Sequence, residues 1–445
     1  MIHGMSGQQE GAGFLEKTFK LRANGTDART EVLAGVTTFM TMAYIIFVNP
    51  TILSSTGMDF GAVMVATILS AAIATLIMSF SANYPIAIAP GMGLNAFFAF
   101  TIVKQMHYPW EVALAAVFMS GVIFIILTLT KAREAIVNSI PLSLKLAISA
   151  GIGLFIALIG LQNAGLVVPN PDTLVQLGDL SKPPVLLAAM GLVITALLVA
   201  LRVRGALLLS IIIITIIGIP MGVTKIDSFK LLSLPPSLAP TFGAFTRGLP
   251  GLWATGLIPI IFTFTFVDLF DTIGTLIGVS SKANLLDENG NLPRAGKALI
   301  SDAVGTTLGA ILGTSTLTAY IESAAGVAEG GRTGLTSLVV AILFLACLFI
   351  SPLVGIVPAV ATAPILIIVG IFMMEPIMKI DFSNFLEAAP AFLTIAMMPF
   401  TYNIAEGIVW GVLAYVFLHL VTGNTKKISI TMWILAVLFI IRFFA

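Results

Sequence analysis

Gly313–Gly334 reads GTSTLTAYIESAAGVAEGGRTG. It lies among almost unbroken apolar segments, yet it is rich in Thr, Ser and Gly and carries Glu322. A carboxylate at the centre of a membrane span costs roughly 2.5–3.5 kcal/mol on insertion scales, so such a residue marks a functional site by default. The segment is also a poor continuous helix. Thr314, Thr316 and Thr318 alternate as in a short strand, and only Tyr320–Val327 has a helical pattern. Irregular backbone at membrane depth survives only where protein buries it or where it lines a cavity. The stretch therefore predicts a short strand joined to a half-helix, with Glu322 at the joint and Ile321 and Ser323 beside it.

Composition sets the class around this stretch. The chain has 445 residues, 58% hydrophobic and 10% charged, with a mean hydropathy of +1.07. Soluble domains carry about 25% charged residues, and many segments here approach the roughly 20 apolar residues that cross a bilayer. The reading is an all-α polytopic membrane protein. A net charge of +1 implies no nucleic-acid partner. The single cysteine, Cys347, excludes an internal disulfide, and His3, His107 and His419 are too scattered for a metal-ligand spacing. No cofactor is implied. The first thirty residues are too polar for a cleavable signal peptide.

In chain order, residues 1–30 form a tail with a basic, amphipathic end, expected in the cytoplasm. Spans are expected near 31–53, 60–80, 85–103, 110–130, 140–162, 183–202 and 205–222. A Pro- and Ser-rich linker, 223–250, divides the chain. Further spans are expected near 253–280, 296–312, 314–328, 333–351, 354–376, 385–401 and 403–421. Residues 422–445 form a C-terminal tail whose apolar stretch, Ile430–Phe444, is short for a span and is read as interfacial or packed on the bundle. With both termini in the cytoplasm, the cytoplasmic segments hold most of the Lys and Arg, among them Lys131, Arg133, Arg202, Arg204, Lys282, Arg294, Arg332 and Lys379. The outer segments, the linker included, keep only Lys104, Lys182, Lys225, Lys230 and Arg247. That bias is the positive-inside pattern. It gives two units, 31–222 and 251–421, of seven spans each, and an odd number per half inverts one against the other.

The third span carries a second interrupted run, Ala87-Ile88-Ala89-Pro90-Gly91-Met92-Gly93-Leu94-Asn95-Ala96, placed in its half as Thr314 is in the other. Paired, Gly/Pro-broken spans at corresponding places of inverted halves point to a transporter's binding site, with half-helix N-termini offering N–H groups to a ligand. The remaining polar span is FTFTFVDLFDTIGTLIGV, Phe262–Val279. Asp268 and Asp271 are three apart and share a helix face; either can bind ligand or cap a neighbouring broken helix. Asp302 reads as a structural cap. Gly91-x-Gly93-x-x-Ala96 and Gly326-x-x-x-x-Gly331-Arg332-Thr333 imitate nucleotide-binding motifs, but those need a soluble strand–turn–helix. Phe97, Phe98 and Phe100 read as packing.

Five blocks, AGVTTFMTMAYIIFVNP, PGMGLNAFFAF, GIGLFIALIGLQNAG, FVDLFDTIGTLIGV and the opening stretch, occur in an order that resembles the azaguanine-like purine permeases. These are a branch of the nucleobase–cation symporter-2 family with hypoxanthine/guanine and adenine permeases. The resemblance runs from about Glu31 to the C-terminus. It implies fourteen spans, a core domain (spans 1–4 and 8–11), a gate domain (spans 5–7 and 12–14), proton-coupled purine uptake across the cytoplasmic membrane, and often a homodimer. It maps the family's binding carboxylate onto Asp271, where the wider family more often has Glu. Its tenth-span position falls on Glu322, and its third-span site residues fall on Gly93, Leu94 and Asn95.

The chemistry suits a purine. Carboxylates accept ring N–H bonds, and Gly-rich half-helices donate to ring acceptors. A buried carboxylate can exchange a proton at useful pH, so Glu322, Asp271 or Asp268 is the expected proton-coupling group, with the proton as the coupling ion. Hypoxanthine or guanine is the expected substrate, with adenine selectivity as the alternative and anion transport on the same architecture as a remoter one. An intramembrane protease lacks its Gly-x-Gly-Asp element here, and a channel would need no titrating groups.

Overall fold

The computed structural model describes residues 13–130, 140–226, 230, 232–254, 258–287 and 292–444. Among them, nine helices are long and apolar enough to cross a membrane: 28–54, 60–82, 110–129, 142–163, 183–200, 260–282, 334–356, 359–379 and 404–421. Two shorter apolar helices, Ala206–Gly218 and Phe385–Phe400, the helix Ala295–Leu312, and the two interrupted segments complete fourteen. The fold is the expected one of inverted seven-segment repeats with strands and half-helices in the third and tenth segments.

The interrupted segments meet. Strand Ile88–Pro90 pairs antiparallel with strand Leu317–Ala319 in the register Ile88↔Ala319, Ala89↔Thr318, Pro90↔Leu317. Gly91 N–H donates to Thr316 O and Tyr320 N–H to Ala87 O, both at 2.9 Å. A two-stranded ribbon leaves its outer N–H and C=O groups unpaired, which is costly away from water. Two threonines cover them in matching fashion. The Thr75 hydroxyl accepts from Ile88 N–H and donates to Ile88 O, each at 3.0 Å. The Thr306 hydroxyl does the same for Leu317, each at 3.1 Å. Thr75 lies on the second span and Thr306 on the ninth, so the two repeats solve one problem identically.

Past the ribbon the chain becomes helical, at Met92–Ala96 running on into Phe97–Gln105, and at Ser323–Ala328. The second half-helix starts three residues later than its periodicity suggests, and the strand is Leu317–Ala319 rather than the Thr314–Thr318 alternation. Tyr320 is the reason, because its N–H is still committed to the ribbon. The far end of this half-helix is closed by Arg332, whose guanidinium donates to Val327 O and Gly331 O at 2.7 Å; a cation suits a helix C-terminus. Glu31, fully buried, accepts from the Arg332 and Thr336 N–H groups at 2.8 and 3.1 Å and from the Thr336 hydroxyl at 2.6 Å. It caps the helix Gly334–Ala346 at the end where an anion is favoured.

Packing sorts the helices into two groups. In the first, Ala28–Met42, Phe60–Ile77, Trp110–Leu129, Ile258–Lys282, Ala295–Leu312 and Gly334–Ala346 pack around the ribbon. In the second, Leu142–Asn163 packs on Ala359–Met374, Phe385–Phe400 and Ile404–Val421, while Pro183–Ala200 packs on Ala206–Gly218 and Ala359–Met374. Leu142–Asn163 and Ala359–Met374 are the fifth and twelfth spans, equivalent in the two repeats. They cross where Gly153 faces Gly370: a Cβ on Gly153 would lie 2.6 Å from Gly370 O, and one on Gly370 2.5 Å from Gly153 O. Between the groups, Arg204 Nη2 meets Glu329 Oε1 at 2.6 Å, and Thr101 Oγ1 donates to Tyr402 O at 2.9 Å.

The chain outside the spans differs from its reading in two places. The N-terminal tail is not free along its length, because Phe19 and Leu21 are buried against Leu335. The linker ends in a helix, Phe245–Ala254, packed on Trp110–Leu129. The twelfth span starts at Ala359, later than the 354 expected, since Pro358 interrupts the preceding Ser351–Ile356 helix. Ile430–Phe444 is a single helix lying against Ile404–Val421.

Candidate functional site

Four segments bring polar side chains to the start of the Ser323–Ala328 half-helix. Glu322 is its N-cap residue and is only half-buried. Its Oε1 accepts from Tyr44 Oη at 2.6 Å, and its carbonyl from Thr41 Oγ1 at 3.4 Å. Both partners are on the first span. Asp271, on Ile258–Lys282, is half-buried as well. Its carboxyl is on the side of the ribbon that carries Thr318, within electrostatic range of Glu322. Tyr320, between them, donates from Oη to Pro90 O at 2.5 Å. The carboxylates thus lie beside the ribbon and the first span, with their remaining lone pairs available to a ligand.

The other expected site residues divide. Asn95 is fully buried, and among the described residues neither its amide oxygen nor its amide nitrogen has a hydrogen-bond partner. Leaving such groups unmade is costly, so Asn95 is suited to meet a polar ligand. Leu94 is buried among apolar neighbours. Gly93 lies against Ile152 of the second helix group, where a Cβ would collide with the Ile152 Cγ2; its smallness lets the groups approach. Ile321 is 42% exposed and lies over Gly278. With Gly274 and Ile277 also exposed, an open face runs along Ile258–Lys282 towards Asp271. Ser323 is taken up by the scaffold, its hydroxyl accepting from Ala87 N–H at 3.0 Å. Asp268 is fully buried and accepts from Thr272 Oγ1 at 3.4 Å; it sits one turn from Asp271 and deeper in the helix packing. Asp302 is also fully buried.

Sequence reasoning missed Tyr44, Tyr320 and Thr318 as site members. Tyr44 had a signal, a phenol among the polar residues of the first span. Nothing in its spacing points across the chain to Glu322. Phe97 packs edge-on against Phe264, centroids 5.2 Å apart, and Phe100 against Tyr402, so these rings serve the packing as expected.

This arrangement of broken spans around facing carboxylates is that of a secondary transporter. Residues 29–410 match the sequence model of the permease family, and the chain belongs to that family. It is a multi-pass membrane transporter rather than an enzyme. It is 46% identical over 442 residues to the adenine permease AdeP of Escherichia coli (strain K12), covering 99% of this chain and 98% of that one. It is 45% identical over 434 residues to the guanine/hypoxanthine permease PbuG of Bacillus subtilis (strain 168), covering 96% and 98%. Among solved structures, the fold is similar to the transmembrane domain of the cyanobacterial bicarbonate transporter BicA. That match has a TM-score of 0.60 at 16% identity and covers 86% of this chain and 97% of that one.

Proposed function

We propose that this permease takes up purine nucleobases across the cytoplasmic membrane together with protons. Asp271 and Glu322 are its ligand-binding carboxylates, and Asn95 provides a further polar contact. The observation that carries the reading is the convergence of Asp271 and Glu322 beside one ribbon, with Glu322 held by the Tyr44 hydroxyl. A purine edge alternates N–H donors with ring acceptors, which suits carboxylates on one side and an amide on the other. Two carboxylates within electrostatic range repel each other when both are ionised, and a proton entering with the substrate relieves that repulsion. Curated relatives named for adenine and for guanine/hypoxanthine support the substrate class.

In this reading both termini face the cytoplasm, and 31–222 and 251–421 are the two repeats, joined by an outward-facing linker. Hypoxanthine and guanine are the first-choice substrates. Adenine is the second reading, favoured by an identity to AdeP as high as that to PbuG. The test is accumulation of radiolabelled hypoxanthine and adenine in vesicles reconstituted with the protein, with and without an inward-directed proton gradient. Gradient-stimulated accumulation, abolished by a protonophore and competed by one purine above the others, is expected. Uptake indifferent to the gradient would remove the proton coupling, and no purine uptake at all would remove the substrate class.

A further inference from the structure

Between the helices Phe385–Phe400, Ile404–Val421 and Ile430–Phe444 lies a cavity of about 440 Å³, and no residue of the helix that carries Asp271 lines it. Leu393, Trp410, Phe417, Leu420, Trp433 and Ile440 form most of its wall, and every other lining residue is aliphatic. It opens outward, since Phe417 is 62% exposed and Val437 52%. The last helix packs inward through Met432, Leu435, Ala436 and Phe439, yet its other face, Ile434, Leu438 and Ile441, is equally apolar. A helix apolar all round belongs in hydrocarbon. The turn between the last two helices carries Lys426 and Lys427, both exposed, and the stretch 422–430 has no acidic residue.

We infer that this groove holds an acyl chain of an anionic phospholipid whose headgroup rests on Lys426 and Lys427. A purine would find no partner for its N–H and C=O groups there, a heavy penalty in an apolar site. A helix of a second copy is about 10–12 Å across with its side chains, much wider than an acyl chain. An acyl chain is slender and needs no polar partner. The two lysines sit at the end of the groove marked by Leu420 and Trp433, and juxtamembrane lysines attract anionic headgroups. The bound lipid tightens the seat of the last helix, whose packing partner is chiefly Ile404–Val421.

Trp410 and Trp433 line the groove and serve as reporters. The protein has four tryptophans, so Trp110→Phe and Trp253→Phe leave only these two. This full-length variant is reconstituted in phosphatidylcholine vesicles containing rising fractions of brominated phosphatidylglycerol or, separately, brominated phosphatidylcholine, and tryptophan quenching is followed. The brominated phosphatidylglycerol is expected to half-saturate quenching at an at least fivefold lower mole fraction, about the preference one lysine confers. Lys426→Gln with Lys427→Gln should abolish the difference between the two lipids. Ala414→Phe, which fills the groove, should abolish the saturable component. Equal midpoints for the two lipids overturn the inference, as does a lipid preference that survives the double lysine variant. Efficient crosslinking of Trp433→Cys between two copies also overturns it, by assigning the groove to a second chain.

Discussion

Tyr44 donates a hydrogen bond to Glu322 across 2.6 Å, although 278 residues of chain separate them. One comes from the first span and the other from the tenth, so each repeat contributes half of a single pair. The phenol also restrains the carboxylate at the mouth of the half-helix.

Tyr44→Phe keeps the ring and deletes the donor. Hydrogen bonds to charged groups contribute about 1.5–3 kcal/mol, so purine affinity should fall roughly ten- to a hundredfold with expression unchanged. Binding measured on purified protein checks this, and an unaltered affinity takes Tyr44 out of the site.

Asp271→Asn preserves volume while converting one acceptor into a donor. The amide has the same shape as the carboxylate, so the fold should stand while affinity drops by about the same factor. Thermal stability and binding, measured side by side, separate the two effects. A collapse of stability with affinity intact would make Asp271 a structural residue.

Glu322→Gln mimics the protonated acid. Protonation and ligand share one carboxylate, so each alters the other's affinity. The variant is expected to exchange purine between compartments but not to accumulate it. Counterflow beside gradient-driven uptake in the same vesicles gives the answer; accumulation equal to wild type would shift the coupling role to Asp271 or Asp268.

Gly153→Ala and Gly370→Ala each force a Cβ into the backbone of the partner helix. Overpacking of this kind costs about 1–3 kcal/mol, so both should lower the melting temperature. Gly296→Ala, whose Cβ would meet nothing within 4 Å, is the matched control and should leave it unchanged.

Sidedness can be read by cysteine labelling on a Cys347→Ala background. Leu234→Cys, at a position 83% exposed in the linker, should react with an impermeant reagent from outside intact cells. Lys282→Cys should react only after permeabilisation. Equal labelling of the two would break the inverted arrangement.

The interrupted spans were legible because membrane depth makes any Gly-, Thr- or Pro-rich run conspicuous, and Glu322 and Asp271 stood out by their charge. The edge-sealing hydroxyls of Thr75 and Thr306 were not, since threonine within an apolar helix is ordinary and its partner lies across a turn of chain. Tyr44 was hidden for a similar reason, as helical spacing reports which residues share a face and not which span that face meets. The bond from Ala87 N–H to the Ser323 hydroxyl was not legible either, because it depends on the ribbon reaching one residue further on its partner side. Glu31 stands where the first span begins, and nothing in its spacing points to Thr336 on the eleventh span as its partner.

The two helix groups cut across the two repeats, and each group is built from both halves of the chain. Covalent continuity therefore passes from one group to the other in three places: at 130–141, at 219–244, and at 357–358. The third tether is only Val357 and Pro358, between the helices Ser351–Ile356 and Ala359–Met374, while the second is long and, over its described residues, mostly irregular. Whatever else the two groups do, the ends of Ser351–Ile356 and Ala359–Met374 stay leashed together by this two-residue link, while the longer linker leaves its own ends far more slack.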